Sequence, residues 1–284
     1  MKLFWNTHNQ NKSFWGEYHL LNSKEWIFDI LGEIKFKEIE DLNLAQNTDS
    51  LIVVDSEISG KKDFYEILLN KYKRIYLIHL GDEGGRINKK IYSNFQHVFR
   101  TFYLNSFSKL GNVTCVPLGY KSGVSKNSIE IINRKYKWNF LGSIHGASRY
   151  DLIFQNKKIA PNYINITKKF GGENSIKAKE YYEIMRNTIF ALVSHGYFHP
   201  ETYRMYEALE SGCIPIIENP YKIFNKFLPE NPMIEIQLWN ESTKIIEELI
   251  SDKNKLKNIS ATINNWWSNY KSNLRKEIKE KLYV

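Results

Sequence analysis

The sequence lacks several features that would place it in a class at once. Its two cysteines, Cys115 and Cys213, lie far apart, so neither a disulfide framework nor a cysteine metal cluster is expected. No run of about 18 apolar residues occurs, which argues against a membrane span. The apolar run after Lys2 lasts three residues, too short for the core of a secretory signal. These absences favour a reduced, cytoplasmic protein.

Motifs of several enzyme classes are also missing. No G-x-x-x-x-G-K-[ST] loop occurs and no G-x-G-x-x-G follows an apolar run, so ATP hydrolysis and dinucleotide redox chemistry lose support. No G-x-S-x-G elbow is present, which removes the commonest hydrolase triad. Nucleic-acid-binding motifs are absent, and no nucleic-acid partner is expected. His195 and His199 have no third ligand at metal spacing, so a zinc site is not expected.

Acidic residues are too few to balance the basic ones, and the net charge is +9. Between Lys253 and Val284, eight Lys or Arg stand against two Glu, a local charge of 8 − 2 = +6. Basic and apolar residues are spaced to line opposite sides of one helix: Lys271, Arg275, Lys276 and Lys279 against Trp267, Tyr270 and Leu274. Such a helix could lie on an anionic membrane surface, as in a peripheral protein on the inner face of the plasma membrane. It could equally be a solvated basic face, or cross back and pack on the first domain.

Short apolar runs rich in β-branched and aromatic residues alternate with stretches of helical spacing. The runs fall into two series: 2–6, 34–40, 50–58, 74–80, 97–103 and 113–119, then 137–144, 163–170, 189–195, 213–219 and 233–238. This alternation predicts mostly parallel sheets with helices on both faces. We therefore expect an α/β protein of two doubly wound, Rossmann-like domains that face each other across a cleft.

A polar, turn-prone stretch, 122–136, separates the two series and predicts the domain boundary. The expected organisation is a first domain over 1–128, a second over 129–264, and a basic C-terminal helix over 265–284. At 284 residues, each half is long enough to bury its own core.

The stretch "HGYFHPETYRMYEALESGCIPIIENP", 195–220, follows a predicted buried strand. It is expected to begin as a loop and continue as a helix, with Pro200 in the first turn and a glycine at the C-terminal end. The apolar positions of this helix are expected to face the sheet: Met205, Ala208, Leu209 and Gly212.

Arg204 and Glu207 share the other side of that helix. A helix N-terminus offers free N–H groups and about half a positive charge, which suits a diphosphate. Arg204 could add a bidentate contact to phosphate oxygens, and Glu207 could accept hydrogen bonds from a vicinal diol such as a ribose. The same spacing also fits an ordinary Arg–Glu surface pair, and geometry alone leaves both interpretations open.

The amino-acid sequence of this helix resembles a family signature. "RMYEALESGCIPIIEN" is similar to the R-x-x-E-A-L-x-x-G-C-I-P-V-I motif of the exostosin-like glycosyltransferases, with fainter agreement in "VPLGYKSG" and "KWNFLGSIHGASR". The motif matches at Arg204, Glu207, Ala208, Leu209, Gly212, Cys213, Ile214 and Pro215. The resemblance, mainly over 185–220, implies a GT-B fold and a nucleotide-sugar donor held by the second domain. It also implies no required metal, a diphosphate contact from Arg204 and a ribose contact from Glu207.

Further donor contacts are predicted around this helix. In "FLGSIHGASR", 140–149, glycines would let backbone approach a ligand, a serine offers a hydroxyl, and Arg149 could reach a second phosphate oxygen. A flexible glycine turn with a solvated Arg is the alternative. The predicted donor-binding residues are Gly142, Ser143, Arg149, His195, His199, Glu201, Thr202, Arg204 and Glu207. Because the segment "HGYFHPET" differs from the usual sequence of the family, the resemblance does not identify the donor of this protein.

The first domain, expected to bind the acceptor, has carboxylates where the strand 74–80 ends in "HLGDEGGR". Direct transfer with inversion needs a base for the acceptor hydroxyl, and Asp82 or Glu83 could serve, with Asp82 preferred as nearer the strand. Arg86 and Arg100 could bind an anionic acceptor. A polar turn with surface charge is the alternative interpretation, and the next candidates for the base are His79 and the "NTHNQNKS" loop, 6–13.

The sequence thus predicts an inverting, metal-independent glycosyltransferase without a cofactor. It would move a sugar from a nucleotide-sugar to a glycan or glycolipid acceptor in surface polysaccharide synthesis. Two alternatives stay open. Asp55 and Glu57 in "VVDSE" imitate the metal-binding D-x-D of GT-A-like transferases, and the same two domains could form a non-catalytic nucleotide- or polysaccharide-binding module.

Overall fold

The computed structural model describes residues 1–7, 19–42, 50–123, 129–168 and 174–283. Residues 8–13 of the candidate loop 6–13 therefore lie outside the described residues. Residues 124–128, where the first domain was expected to end, lie outside them as well. Contacts divide the chain into two compact units. Among the described residues, unit 1 comprises those up to Leu118 and those from Asn273 onward, and unit 2 those from Gly119 to Ser272.

The sheet of unit 1 is parallel throughout, in the order β2-β1-β3-β4-β5-β6. Its strands are β1 Lys2–Trp5, β2 Lys37–Ile39, β3 Ser50–Asp55, β4 Arg74–His79, β5 His97–Arg100 and β6 Val113–Cys115. Helices α1 Lys24–Leu31 and α2 Lys62–Lys71 accompany it, with a 3₁₀ helix over Lys89–Asn94. The strands predicted from the first series are confirmed.

The core of unit 1 forms because its central strands are apolar along their whole length. Every residue of β3 is buried, and Leu51, Val53 and Leu77 pack in one cluster with Tyr65 and Leu68 of α2. A strand that is covered on both faces has no solvated side on which to place polar groups. Polar side chains are therefore concentrated where the strands end.

The sheet of unit 2 is also parallel, in the order β11-β10-β9-β7-β8. Its strands are β7 Tyr136–Ser143, β8 Asn162–Thr167, β9 Thr188–Val193, β10 Ile214–Glu218 and β11 Ile234–Ile236. The helices are α3 Ala147–Asn156, α4 Ala178–Arg186, α5 Tyr203–Glu210 and α6 Trp239–Ser251. From β7 the chain adds β8 on one side of the sheet, and then β9, β10 and β11 on the other side. The strand order therefore reverses between β7 and β9, which are neighbours.

The last helix, α7 Lys253–Leu282, is 30 residues long. Its residues up to Ser272 belong to unit 2 and the rest to unit 1. Buried side chains follow a helical spacing along it: Leu256, Ile263, Trp267, Leu274, Ile278 and Leu282. The helix predicted over 265–284 is thus the second half of a longer helix, and its C-terminal end is fixed in unit 1, where Tyr76 Oη donates to the Leu282 carbonyl at 3.0 Å.

Two members of the predicted basic side of this helix make ion pairs within their own units. Lys271 Nζ lies 2.7 Å from Glu210 Oε2, and Arg275 pairs with Asp29. Trp267 is buried and donates to Glu210. Of the four residues predicted for that side, Lys276 and Lys279 remain exposed, so the prediction of a membrane-facing side rests on fewer charges than the spacing suggested. Within the described ranges, no helix combines the length and apolar character needed to cross a membrane.

Asp55, at the end of β3, is fully buried and surrounded by donors. Its carboxylate accepts from Asn6 Nδ2 at 2.6 Å, Tyr65 Oη at 2.7 Å and Lys61 Nζ at 2.9 and 3.0 Å. The Glu57 backbone N–H donates to it as well, at 3.0 Å. Both oxygens are occupied by groups of the protein, which favours a structural anchor over a GT-A-like metal ligand. In the described part of the chain, no cluster of three His, Cys, Asp or Glu side chains is arranged to hold a metal.

We expect Lys61→Met to destabilise the protein by about 3 kcal/mol, because removing one partner leaves a buried carboxylate without its counter-charge. The lowered midpoint would be measured by urea unfolding. The adjacent Lys62→Met is a matched control, because the Lys62 side chain is 83% exposed and pairs with Glu66 on the helix surface. Equal midpoints for the two variants would contradict the anchor role of Asp55.

Candidate functional site

The candidate site of unit 2 lies where the strand order reverses. Ligands of open parallel sheets bind at the carboxyl ends of the strands, at such a reversal. The loops after β7 and β9 meet there: the His145 ring stacks on Tyr197, with 3.9 Å between centroids and 18° between planes. The reversal therefore brings together the two loops that the sequence assigned to the donor.

Arg149, in the first turns of α3, joins the ends of β7 and β9. Its Nη1 donates to the Ser143 carbonyl at 2.9 Å and its Nη2 to the His195 carbonyl at 3.0 Å. Both terminal nitrogens thus hold backbone of the two loops. This geometry favours a brace that shapes the site, and the predicted contact of Arg149 with a phosphate stays a prediction.

Helix α5 begins later than the sequence indicated. It starts at Tyr203, after an extended Thr202 at φ −138° and ψ 153°, so Pro200 lies in the loop and its assignment to the first turn is wrong. The physical reason is a turn that holds the preceding residues: the Gly196 N–H donates to the His199 carbonyl at 2.9 Å. Fixing this turn keeps the chain extended up to Thr202.

His199 and Glu201 are both buried in this turn and bonded within it. The Glu201 N–H donates to His199 Nδ1 at 3.1 Å, and the Glu201 carboxylate accepts a hydrogen bond from Tyr206 of α5. Their positions favour holding the loop over touching a donor. His195 is one-third exposed, and its Nε2 lies 3.0 Å from the Glu218 carbonyl.

Arg204, in the first turn of α5, extends to the end of β7. A Cβ placed on Gly142 would lie 3.2 Å from Arg204 Nη2, so the missing side chain of Gly142 leaves the space that the guanidinium uses. The guanidinium carbon lies 5.2 Å from the centroid of the Phe140 ring. Gly142 has φ +155°, a conformation that other residues rarely adopt.

Two polar groups at the start of α5 are shielded from water and have no hydrogen-bond partner among the described residues: Arg204 Nη1 and Thr202 Oγ1. Buried polar groups in native proteins are almost always bonded, so such groups call for a partner from outside the chain. Both stand at a helix N-terminus, where N–H groups and the helix dipole favour an anion. The arrangement fits an anionic oxygen ligand.

Glu207, one turn further along α5, is 4% exposed, and its Oε2 accepts a hydrogen bond from Tyr181 Oη of α4 at 2.5 Å. Burial, reinforced by this carboxylate, raises the pKa of Tyr181 well above its usual value. Glu207 is therefore positioned by a tyrosine of α4 and does not form the ordinary surface pair with Arg204 that was the alternative interpretation.

Tyr181 and Lys121 also lie at this site, although neither was predicted from the sequence. The Lys121 ammonium lies 5.4 Å from the centroid of the Tyr203 ring. Burial lowers its pKa to about 8, and Glu207 opposes that shift. Lys121 follows directly on the "VPLGY" agreement with the family and could have been noticed there. Tyr181 stands in an amphipathic helix without any distinguishing motif.

The polar loop of unit 1 is organised around Asp82, which has φ +63°. Its Oδ1 accepts from the Arg86 N–H at 2.6 Å, and its Oδ2 lies 3.3 Å from Arg100 Nη1. Arg100 is fully buried, donates again to the Asp82 carbonyl at 3.0 Å, and stacks on Phe107 with 4.0 Å to the ring centroid. The expectation that Arg100 binds an acceptor is therefore corrected: its donors hold this loop. The Asp82 carboxylate likewise makes its hydrogen bonds within the protein and holds the same loop.

The remaining candidates in unit 1 differ in accessibility. His79 is 1% exposed, its Nδ1 lies 2.6 Å from Tyr92 Oη, and burial together with the Arg100 charge lowers its pKa to about 3. A neutral ring in this position has no access to an acceptor. Glu83 is half-buried and Arg86 exposed, so these two side chains of the loop can reach a ligand.

The C-terminal part of the chain matches a known family. The family model described as the RXYLT1 C-terminal domain matches residues 120–283, more than half of the chain. This match bears out the exostosin-like resemblance of the α5 motif. No curated protein matches the sequence.

Solved glycosyltransferases share the fold at low sequence identity. A T4 phage β-glucosyltransferase mutant in complex with UDP-glucose is similar at a TM-score of 0.59 and 14% identity, covering 100% of both chains. A DNA-modifying β-glucosyltransferase gives 0.57 at 13% identity, also over 100% of both chains. An α1,3-fucosyltransferase gives 0.50 at 14% identity, covering 92% of this chain and 81% of its own. These similarities confirm the predicted GT-B fold class.

Proposed function

The chain belongs to the RXYLT1 C-terminal domain family and has a glycosyltransferase fold, and on this premise we propose that it transfers a sugar from a nucleotide-sugar to a hydroxyl of a glycan or glycolipid acceptor. The observation that carries the proposal is the start of α5. There Arg204 occupies the space left by Gly142, and its Nη1, like the Thr202 hydroxyl, has no hydrogen-bond partner among the described residues. An anionic leaving group at this helix N-terminus would supply acceptor oxygens.

The chemistry follows from where negative charge develops. As the sugar leaves, charge accumulates on the diphosphate, and fixed donors at that position stabilise the transition state more than the ground state. Arg204 and the N–H groups of α5 supply such donors. Glu207, held by Tyr181, is left to accept from the ribose hydroxyls through Oε1. Direct displacement by the acceptor oxygen inverts the sugar carbon, and the acceptor proton needs a base.

Glu83 suits the role of base better than Asp82. The Asp82 carboxylate is bonded to the Arg86 N–H and to buried Arg100, and Glu83 is the neighbouring, likewise partly exposed carboxylate of the same loop. A base must reach the hydroxyl whose proton it takes, and a carboxylate that neutralises a buried arginine is less suited to that role. We therefore reverse the preference for Asp82 drawn from the sequence.

A binding module without catalysis is the second candidate, because the same site would hold a nucleotide without turning it over. Release of free nucleoside diphosphate in the presence of donor and acceptor separates the binding module from the transferase, since only a transferase consumes the donor.

For the transferase, surface polysaccharide or glycolipid synthesis remains the proposed setting.

Arg204→Ala should weaken donor binding about 10- to 150-fold, because it removes a charge-assisted contact worth roughly 1.5–3 kcal/mol. The measurement is the Kd for nucleoside diphosphates by titration calorimetry. The matched control is Arg186→Ala, since Arg186 pairs with Glu183 on the surface of α4. A folded Arg204→Ala protein with unchanged affinity would remove Arg204 from the donor site.

Glu83→Gln should lower turnover by about 10²- to 10⁴-fold with nearly unchanged donor affinity, because it removes the base and leaves the donor contacts intact. Asp82→Asn should instead lower the unfolding midpoint, since it leaves buried Arg100 without its counter-charge while Asn tolerates the positive φ. Kcat is measured for both variants with saturating donor. Wild-type turnover in both would place the base elsewhere.

Activity should persist in excess chelator, because we propose that the leaving diphosphate is stabilised by Arg204 and the helix N-terminus without a metal ion. The rate of nucleoside diphosphate release would be compared before and after dialysis against EDTA. Complete loss that manganese or magnesium restores would contradict metal independence and return attention to Asp55 and Glu57.

A further inference from the structure

The start of α5 has a second cationic group that the proposed chemistry does not yet use. Tyr203 and Glu207 are four residues apart on one side of the helix, and Lys121 interacts with both: its ammonium lies over the Tyr203 ring, and Glu207 acts on its charge. The side chain of Arg204, the next residue, projects from α5 about 100° around the helix axis from that of Tyr203. The two cations thus occupy neighbouring sides of one helix N-terminus.

The surroundings of Lys121 hold it in place. Tyr182 of α4 donates to the Lys121 carbonyl, which fixes the backbone at the entry to unit 2. The neighbouring Tyr181 bonds to Glu207, so two adjacent tyrosines of α4 hold the Lys121 backbone and the Glu207 carboxylate. A partly desolvated ammonium is costly to maintain, and a cation of this kind beside a candidate ligand site is a candidate contact for an anion.

We propose that Lys121 is a ligand of the donor nucleotide and binds the phosphate next to the ribose, while Arg204 binds the other phosphate. This inference rests on the proposed function, because it assumes a nucleotide at the start of α5. The assignment follows from position: the Lys121 ammonium lies over Tyr203, which shares one side of α5 with Glu207, the group proposed for the ribose, whereas Arg204 extends away to Gly142 at the end of β7. A diphosphate between the two cations spans the helix N-terminus.

A purely structural role for Lys121 makes a different prediction. If the ammonium served only to neutralise Glu207, its removal would disturb the ribose contact and lower the affinity for a nucleoside as much as for a nucleotide. If it binds phosphate, the loss is confined to ligands that carry one.

The test compares uridine, UMP and UDP, or the guanosine series if GDP binds the wild-type protein and UDP does not. Lys121→Met should weaken UMP and UDP about tenfold and leave the nucleoside unchanged, as measured by titration calorimetry. Arg204→Ala should weaken UDP more than UMP. Lys121→Arg, which keeps the charge, should retain most of the affinity. Lys179→Met, on the exposed surface of α4, is the control.

The pH dependence gives a readout that does not require a variant to fold. The protonated ammonium is the form that binds phosphate, so affinity is complete below a pKa of about 8 and falls as pH rises above it. Above pH 7.5 the phosphate, with a second pKa near 6, is fully ionised and adds no change of its own. Around Lys121, Tyr203 lies under the ammonium, Glu207 acts on its charge, and Tyr182 bonds to its carbonyl; the pKa of Tyr181, which bonds to Glu207, is raised well above this range. The wild-type Kd for UDP should therefore rise about threefold between pH 7.5 and 8.5, below the pH at which the nucleobase itself loses a proton, and the Lys121→Met profile should be flat over the same range.

The outcomes separate this inference from the proposed function. A wild-type protein that binds neither UDP nor GDP would overturn both. Binding by wild-type protein with an unchanged Kd in Lys121→Met, or with a flat wild-type pH profile, would overturn the role of Lys121 alone. An equal loss for uridine and UMP would show that the ammonium positions Glu207 and does not bind phosphate.

Discussion

The burial of the parallel strands on both faces is the constraint on which the rest of this structure depends. A strand such as β3 or β9 has no solvated side, so ionisable groups are excluded along its length and gather at its end. In unit 2 the reversal of strand order puts the ends of β7 and β9 next to each other. The candidate site is the result of this topology, because it joins loops that are about fifty residues apart in the sequence.

Charged groups at these strand ends fall into two classes. Asp55 with Lys61 and Asp82 with Arg100 are satisfied inside the protein, where a buried charge is tolerated if it is paired and hydrogen-bonded. Arg204 differs, because one of its nitrogens is shielded from water and finds no partner in the described chain. The distinction matters for function: a satisfied pair holds a loop, whereas an unsatisfied donor is prepared for a ligand.

The α5 site also shows how rigid supports place a flexible side chain. Arg149 joins the two loops through their carbonyls, Tyr181 holds Glu207, and the turn at His199 sets where the helix begins. Each of these residues fixes the position of another group in the site. A preorganised set of donors loses little entropy when an anion binds, and preorganisation of this kind is what transition-state stabilisation requires.

The sequence by itself determined the strands, the two parallel sheets and the family, because these depend on local periodicity and on a motif contained within one helix. It also found Arg204, since its position in "RMYEALESGCIP" is part of that motif. It did not determine which charged residues would be buried in pairs. Arg100 and Asp82 are 18 residues apart, and Tyr181 and Glu207 26 residues apart, so only tertiary structure brings them into contact. The start of α5 was likewise decided by the hydrogen bonds that hold the preceding turn, and the preference for Glu83 over Asp82 by the buried Arg100 that bonds to the Asp82 carboxylate. Local pattern fixes which elements form, whereas the free energy of burying a charge depends on partners that only the folded chain supplies.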